Sequence, residues 1–113
     1  NAGDIALKYA DCVQQILDVL HDDNKQVSAF IAEAILGCGG QIFFPEGFLA
    51  AASTKVQQAG GLYIADEVQI GFGRVGSHFW GFESENAKPD TVTMGKPMGN
   101  GHPISAVVTT KEI

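Results

Sequence analysis

The sequence predicts a three-layer α/β domain whose sheet is mostly parallel with one reversed strand. Three observations carry this expectation. Short apolar runs at 27–32, 62–65, 91–95 and 104–109 lie between turn formers, the pattern of buried strands. Two longer segments, 4–22 and 46–58, carry helical spacing instead. The order strand, helix, strand over 27–65 makes a parallel crossover, right-handed by the general rule.

In order along the chain, Asp4 to Asp22 reads as an amphipathic helix that Asp4 can cap. Ile5, Tyr9, Val13, Ile16, Leu17 and Leu20 share one helical face, which reads as core packing. Asp22 to Lys25 is a polar turn. Val27 to Ala32 is apolar without alternation, as in a central parallel strand covered on both faces, and it ends in Glu33. Gly37, Gly39 and Gly40 break the chain into a loop. Glu46 to Gln58 is an alanine-rich helix closed by Gly60-Gly61, and Leu62 to Ala65 is the second strand. Val68 to Pro89 shows no period and holds four glycines and four aromatic residues, so it reads as a long functional loop rather than a disordered one. Thr91–Gly95 and Ile104–Thr109 are strands separated by eight residues, too few for a helical crossover. They are expected to pair antiparallel.

Composition narrows the function. The chain has 113 residues, 45% hydrophobic and 18% charged, a globular balance. Its net charge of −6 leaves no basic footprint for nucleic acid or an anionic membrane. No apolar run approaches a membrane span, and no signal-peptide pattern is present. A start at Asn1 without Met, and an end directly after a strand, are read as a piece of a larger chain. Cys12 and Cys38 form no CxxC pair or disulfide framework and are expected to be buried thiols of an intracellular protein, in cytoplasm or mitochondrial matrix.

Two residues dominate the chemistry. Asp66 closes the apolar run Leu62-Tyr63-Ile64-Ala65, and Lys96 closes Thr91-Val92-Thr93-Met94-Gly95. Ligands of open α/β sheets sit beyond the carboxyl ends of the strands. Alone, Asp66 would be an acid capping the next turn, and Lys96 a solvated surface amine. Together at two strand ends, an acid and a lysine suit pyridoxal 5'-phosphate, which needs a lysine for its covalent attachment and an acid or arginine at its ring nitrogen. The run Pro97-Met98-Gly99-Asn100-Gly101-His102-Pro103 leaves room for a bulky group, and an enclosed Lys96 amine would become nucleophilic.

Other motifs carry less. Gly71-Phe72-Gly73-Arg74-Val75-Gly76 spells the dinucleotide fingerprint, but four residues separate it from the strand and no helix follows. Arg74 is expected to order this loop through an ion pair. His21, His78 and His102 lie far apart without a second ligand at metal spacing.

The run Ile64-Ala65-Asp66-Glu67-Val68-Gln69-Ile70-Gly71-Phe72-Gly73-Arg74-Val75-Gly76 resembles the signature of class III aminotransferases. Pro89-Asp90-Thr91-Val92-Thr93-Met94-Gly95-Lys96, followed by Gly99-Asn100-Gly101, resembles that family's lysine segment. The resemblance implies fold type I, with residues 1–113 the central part of the large cofactor-binding domain, incomplete at both ends. It implies that Asp66 pairs with the pyridinium nitrogen, that Val68 packs on the ring and that Gln69 bonds near the 3-hydroxyl. Lys96 would carry the Schiff base, then serve as base and acid at the substrate carbon. Glu33 matches the acid that ends the neighbouring strand, close to the cofactor.

The resemblance also implies a homodimer, with part of the phosphate site supplied by the second subunit. This chain has no Gly/Ser-rich turn opening a helix to hold that phosphate, so alone it is expected to be inactive. Many family members have Pro and a second Glu where Ala34 and Cys38 stand, and the change puts ω-amino chemistry of the ornithine type in doubt. Cys38-Gly39-Gly40-Gln41 and Lys96 to Pro103 look like the branch of phospho-lyases acting on ethanolamine phosphate or 5-phosphohydroxylysine. Gly76 to Phe82 is instead similar to the alanine–glyoxylate aminotransferase 2 branch. Three readings therefore stay open: a transaminase of an amine or amino acid, a phospho-lyase, and a non-catalytic α/β binding module.

Overall fold

A computed structural model describes residues 2–113. Helix α1 (Ala2–Asp22) is followed by strand β1 (Ala29–Ala32), a short antiparallel hairpin of β2 (Ile35–Leu36) and β3 (Ile42–Phe43), and helix α2 (Phe48–Gln58). Strand β4 (Leu62–Asp66), the single turn α3 (Gly81–Ser84), β5 (Thr91–Met94), a 3-10 turn (Lys96–Gly99) and β6 (Ala106–Thr109) complete the order. The main sheet runs β1-β4-β5-β6. β4 pairs parallel with both β1 and β5, and β6 closes the sheet antiparallel to β5, as the short connection requires.

The helices end where the backbone demands it. Asn24 adopts the left-handed conformation at φ 56° and lets Lys25 N–H reach back to the Leu20 carbonyl at 2.7 Å, closing α1. Gly60 at φ 86° does the same for α2. A Cβ on the following Gly61 would lie 2.8 Å from Val56 and 2.9 Å from Val27, so this close passage of helix end and strand start needs glycine. Leu49, Ala52, Ser53 and Val56 form the buried stripe of α2, at spacings of three and four residues. Leu49 joins Tyr63, Ala65, Ile70, Ala87 and Ala34 in the core.

Sheet alternation divides the molecule. Tyr63 and Ala65 face α2, while Ile64 and Asp66 face the other way. That second face is open: Ile31, in register with Ile64, is 58% exposed, and Val107, in register with Thr93, is 65% exposed. β1 is also the edge strand of this sheet, not the doubly covered central strand that its unbroken apolar run predicts. The run predicts the residue types correctly, but one face has no cover among the described residues.

Three further expectations change. In α1 the buried positions are Ala6, Ala10 and Leu17, with Val13 and Leu20 half-buried, so the face turned inward is rotated from the predicted stripe. Ile5, Tyr9 and Ile16 are exposed, because α2 approaches closely on the small side chains instead. Asp4 lies inside the first turn rather than at its cap. Both cysteines are exposed, Cys12 on the outside of α1 and Cys38 at the β2–β3 loop. None of the helices is long and apolar enough among the described residues to cross a membrane.

Asp90 ties the second and third strands of the parallel set to α2. Its Oδ2 accepts hydrogen bonds from Tyr63 N–H and from Gln57 Nε2, each at 2.8 Å, while Asp90 N–H donates to the Tyr63 carbonyl at 2.9 Å. Tyr63 is fully buried, so Asp90→Ala strands its N–H away from water. The expected result is a loss of about 1–3 kcal/mol, read as a lower denaturant midpoint of the intact protein at unchanged slope. An unmoved midpoint would contradict this role.

Candidate active site

The candidate site grows out of the carboxyl end of β4. At Asp66 the strand ends in a tight turn, and the acid's Oδ1 accepts the N–H of Val68 at 3.0 Å. Thr93 Oγ1, on the neighbouring strand, also reaches Oδ1 at 3.5 Å. Among the described residues Asp66 Oδ2 takes no hydrogen bond, and the side chain is half-buried. One oxygen is thus fixed by the protein and the other stays free on the open side of the sheet.

Val68 and Lys96 meet on that side. Together with Gly95, Pro103, Ile104 and Ser105 they line a cleft of about 340 Å³, within the range of small-molecule sites. A Cβ on Gly95 would sit 3.4 Å from Val68 Cγ1, in ordinary contact with that wall. Lys96 follows Gly95 at the start of the 3-10 turn, which Met98 N–H closes by donating to the Gly95 carbonyl at 2.6 Å. Lys96 is exposed and makes no ion pair among the described residues. The enclosed amine that the sequence predicts is not formed by these residues alone, because the cleft has walls but no roof.

Glu33 and Gln69 meet at a second point. Glu33 Oε2 accepts the N–H of Gly37 at 2.7 Å and so folds the loop after β1 back on itself. Glu33 Oε1 and Gln69 Cγ would lie 3.4 and 3.5 Å from a Cβ on Gly37, so both side chains pass close to that backbone. Gln69 Nε2 lies 3.6 Å from Cys38 Sγ. The four-residue run Asp66 to Gln69 therefore connects the cleft at Lys96 with the Glu33 loop.

One residue of this run was missed by sequence reasoning. Glu67 is 0% exposed, and both of its carboxylate oxygens are used: Oε2 accepts Gly81 N–H at 2.8 Å and Oε1 accepts Phe82 N–H at 2.9 Å. Burial pushes its carboxyl above the usual range, and the two backbone N–H groups offset only part of that rise. The signal was present, since a period of two from Tyr63 and Ala65 places position 67 on the core face. Glu67 orders the long 68–89 segment, together with the ring contacts of Phe72, Phe79, Trp80 and Phe82. Arg74 is exposed and forms no ion pair among the described residues, so that expectation is corrected. The glycine-rich run 71–76 is a series of turns and opens no helix.

The geometry has relatives. The family model described as "Aminotransferase class-III" matches residues 3–113. The chain is 53% identical over 111 residues to a Drosophila melanogaster protein named alanine–glyoxylate aminotransferase 2-like, covering 98% of this chain and 22% of the relative. It is 50% identical over 102 residues to human alanine–glyoxylate aminotransferase 2, mitochondrial, covering 89% of this chain and 20% of that protein. A solved phospholyase from Arthrobacter, in complex with phosphoethanolamine, superposes with a TM-score of 0.86 at 45% identity, covering 95% of this chain and 25% of that one. The chain spans roughly a fifth of the length of the curated relatives it matches.

Glu33→Ala in the full-length protein frees the Gly37 N–H and loosens the β1–β2 connection. Hydrogen exchange followed by mass spectrometry is expected to speed up over residues 34–41 while the α2 peptides stay as they were. Equal exchange in both proteins would show that the Glu33 bond does not hold the loop.

Proposed function

The chain belongs to the class III aminotransferase family, whose members are pyridoxal-phosphate-dependent transaminases and phospho-lyases, and on that premise we propose that it forms the central part of the cofactor-binding domain of a transaminase acting on a primary amine or amino acid. The observation that carries the reading is the pair of Asp66, with one free carboxylate oxygen, and Lys96, on the cleft at the end of the adjacent parallel strand.

The residues fit pyridoxal phosphate. Asp66 would hold the proton of the ring nitrogen, and its fixed Oδ1 keeps the acid from turning away. Val68 would supply an apolar wall for the flat ring, and Gln69 an amide donor near its 3-hydroxyl. Lys96 is the residue to which the cofactor would be attached. When bound, pyridoxal phosphate supplies an electron sink for the charge left at a deprotonated carbon. Lys96 Nζ would be the group that takes and returns that proton. Glu33 acts at one remove, through the loop that borders Gln69. The phosphate has no anchor among these residues, which fits a homodimer in which other segments and the second subunit supply it. Two relatives are named as mitochondrial, and the compartment proposed for this protein is intracellular, the mitochondrial matrix or the cytoplasm.

A second reading has its own support. Ala34 and Cys38 stand at the two departures from the ω-amino pattern, and the phospholyase in complex with phosphoethanolamine is 45% identical over nearly the whole chain. The two reactions separate by stoichiometry. A transaminase needs a keto-acid acceptor, whereas a phospho-lyase releases phosphate and ammonia from a phosphorylated amine without one.

The test uses the full-length protein. Lys96→Ala is expected to abolish turnover and to lack the near-visible absorbance of the attached cofactor. Asp66→Asn is expected to stay folded and to lose activity by about two orders of magnitude, the size of a lost preorganised charge. Turnover of amines that depends on a keto acid supports the transaminase, and phosphate release without an acceptor establishes the second reading instead. Full activity of Lys96→Ala would overturn both.

A further inference from the structure

We propose that Glu67 is a positioning residue for the cofactor seat: by clamping the N–H groups of Gly81 and Phe82 behind the sheet, it fixes the turn that aims Asp66, Val68 and Gln69 at the front. The inference rests on the reading that Asp66, Val68 and Gln69 hold the cofactor.

The geometry ties Glu67 to the seat on three sides. Its N–H donates to the Thr93 carbonyl at 2.9 Å, extending the β4–β5 ladder one residue beyond Asp66. Its carbonyl accepts Gly71 N–H at 3.0 Å, closing the turn that contains Val68 and Gln69. Its carboxylate holds the start of α3 from behind. These parts have no slack. A Cβ on Gly71 would sit 2.9 Å from the Glu67 carbonyl oxygen and 3.0 Å from the Trp80 ring, and one on Gly81 would overlap Ile70 Cδ1. Ala34 Cβ lies 3.3 Å from the same Gly81 position, so the block touches the residues next to Glu33 and next to Gln69.

A side chain needed only to fill space here could be apolar. A buried carboxylate is a costly filler, since burial opposes its charge and the adjacent Asp66 adds to that cost. What it offers instead is two short, charge-assisted bonds to neighbouring backbone N–H groups, a directional constraint that an apolar side chain cannot supply. The constraint acts on the one segment that carries three of the proposed cofactor contacts. By linkage, a cofactor that selects the aimed turn must also tighten the clamp behind it.

The experiment compares full-length wild type, Glu67→Gln and Glu67→Asp in both cofactor-free and cofactor-loaded states. Glu67→Gln keeps the volume but turns an NH2 group toward a backbone N–H, and Glu67→Asp keeps the charge. For Glu67→Gln we expect cofactor binding weakened about tenfold, the lower end of what supporting partners of a site contribute, and a shifted absorbance maximum of the bound cofactor. Glu67→Asp should recover part of both. In wild type, cofactor loading should slow hydrogen exchange over residues 79–84, on the far side of the sheet from the cleft. This measurement decides the matter even if Glu67→Gln does not fold. A folded Glu67→Gln with wild-type affinity and spectrum, or unchanged exchange at 79–84 on loading, would overturn the inference while leaving the cofactor reading intact. A wild type that binds no cofactor would overturn both.

Discussion

The alternation of side chains along β4 puts two adjacent carboxylates on opposite sides of one sheet, and most of the candidate site follows from that. Asp66 faces outward, where Thr93 and the Val68 N–H hold one of its oxygens and leave the other free. Glu67 faces inward and is fully buried, both oxygens occupied by backbone N–H groups. A shift of one residue would exchange them, burying the acid that has a free oxygen and exposing the one that holds the loop. The register is set by neighbours that tolerate no slip: Tyr63, pinned by Asp90, and Ala65, packed in the core.

With the register fixed, the parallel order of β1, β4 and β5 brings Glu33, Asp66 and Lys96 to the same end of the sheet. Each follows or closes its strand, so each stands where the backbone leaves the ladder and side chains can converge. The reversed β6 then returns beside β5, and the connection through Pro103, Ile104 and Ser105 becomes the far wall of the cleft. The antiparallel strand thus serves the site as well as the sheet. A helical crossover in its place would carry the chain away from Lys96.

Much of this was legible in the residues. The four main strands, the reversed pairing of the last two and the turn ends of both helices follow from apolar runs, connection length and glycines. So does the convergence of Asp66 and Lys96 at strand ends, because it depends on topology rather than on side-chain detail. The β2–β3 hairpin was not legible: its strands have two residues each, too few to show a period. The rotation of α1 is hidden in the sequence because its large side chains mark one face, whereas close packing on α2 uses the small Ala6 and Ala10. Glu67 does not stand out by residue type, because an acid beside a candidate functional acid looks like its solvated neighbour. Only the two-residue period, carried one step past the last apolar position, marks it as buried. Exposure of Ile31 on the open face and of Lys96 at its unroofed cleft depends on what covers them, and residue types in the chain itself do not encode that.

Lys96, at the same end of the sheet as Asp66, is the proposed attachment point of pyridoxal phosphate. The most direct test is to load the full-length protein with the cofactor, reduce it with borohydride, digest it and locate the pyridoxyl group by mass spectrometry. A single modified peptide, with the group on Lys96, is expected. Modification of Lys55, Lys88 or Lys111 with Lys96 untouched, or a lysine in another part of the protein carrying the group, would contradict it.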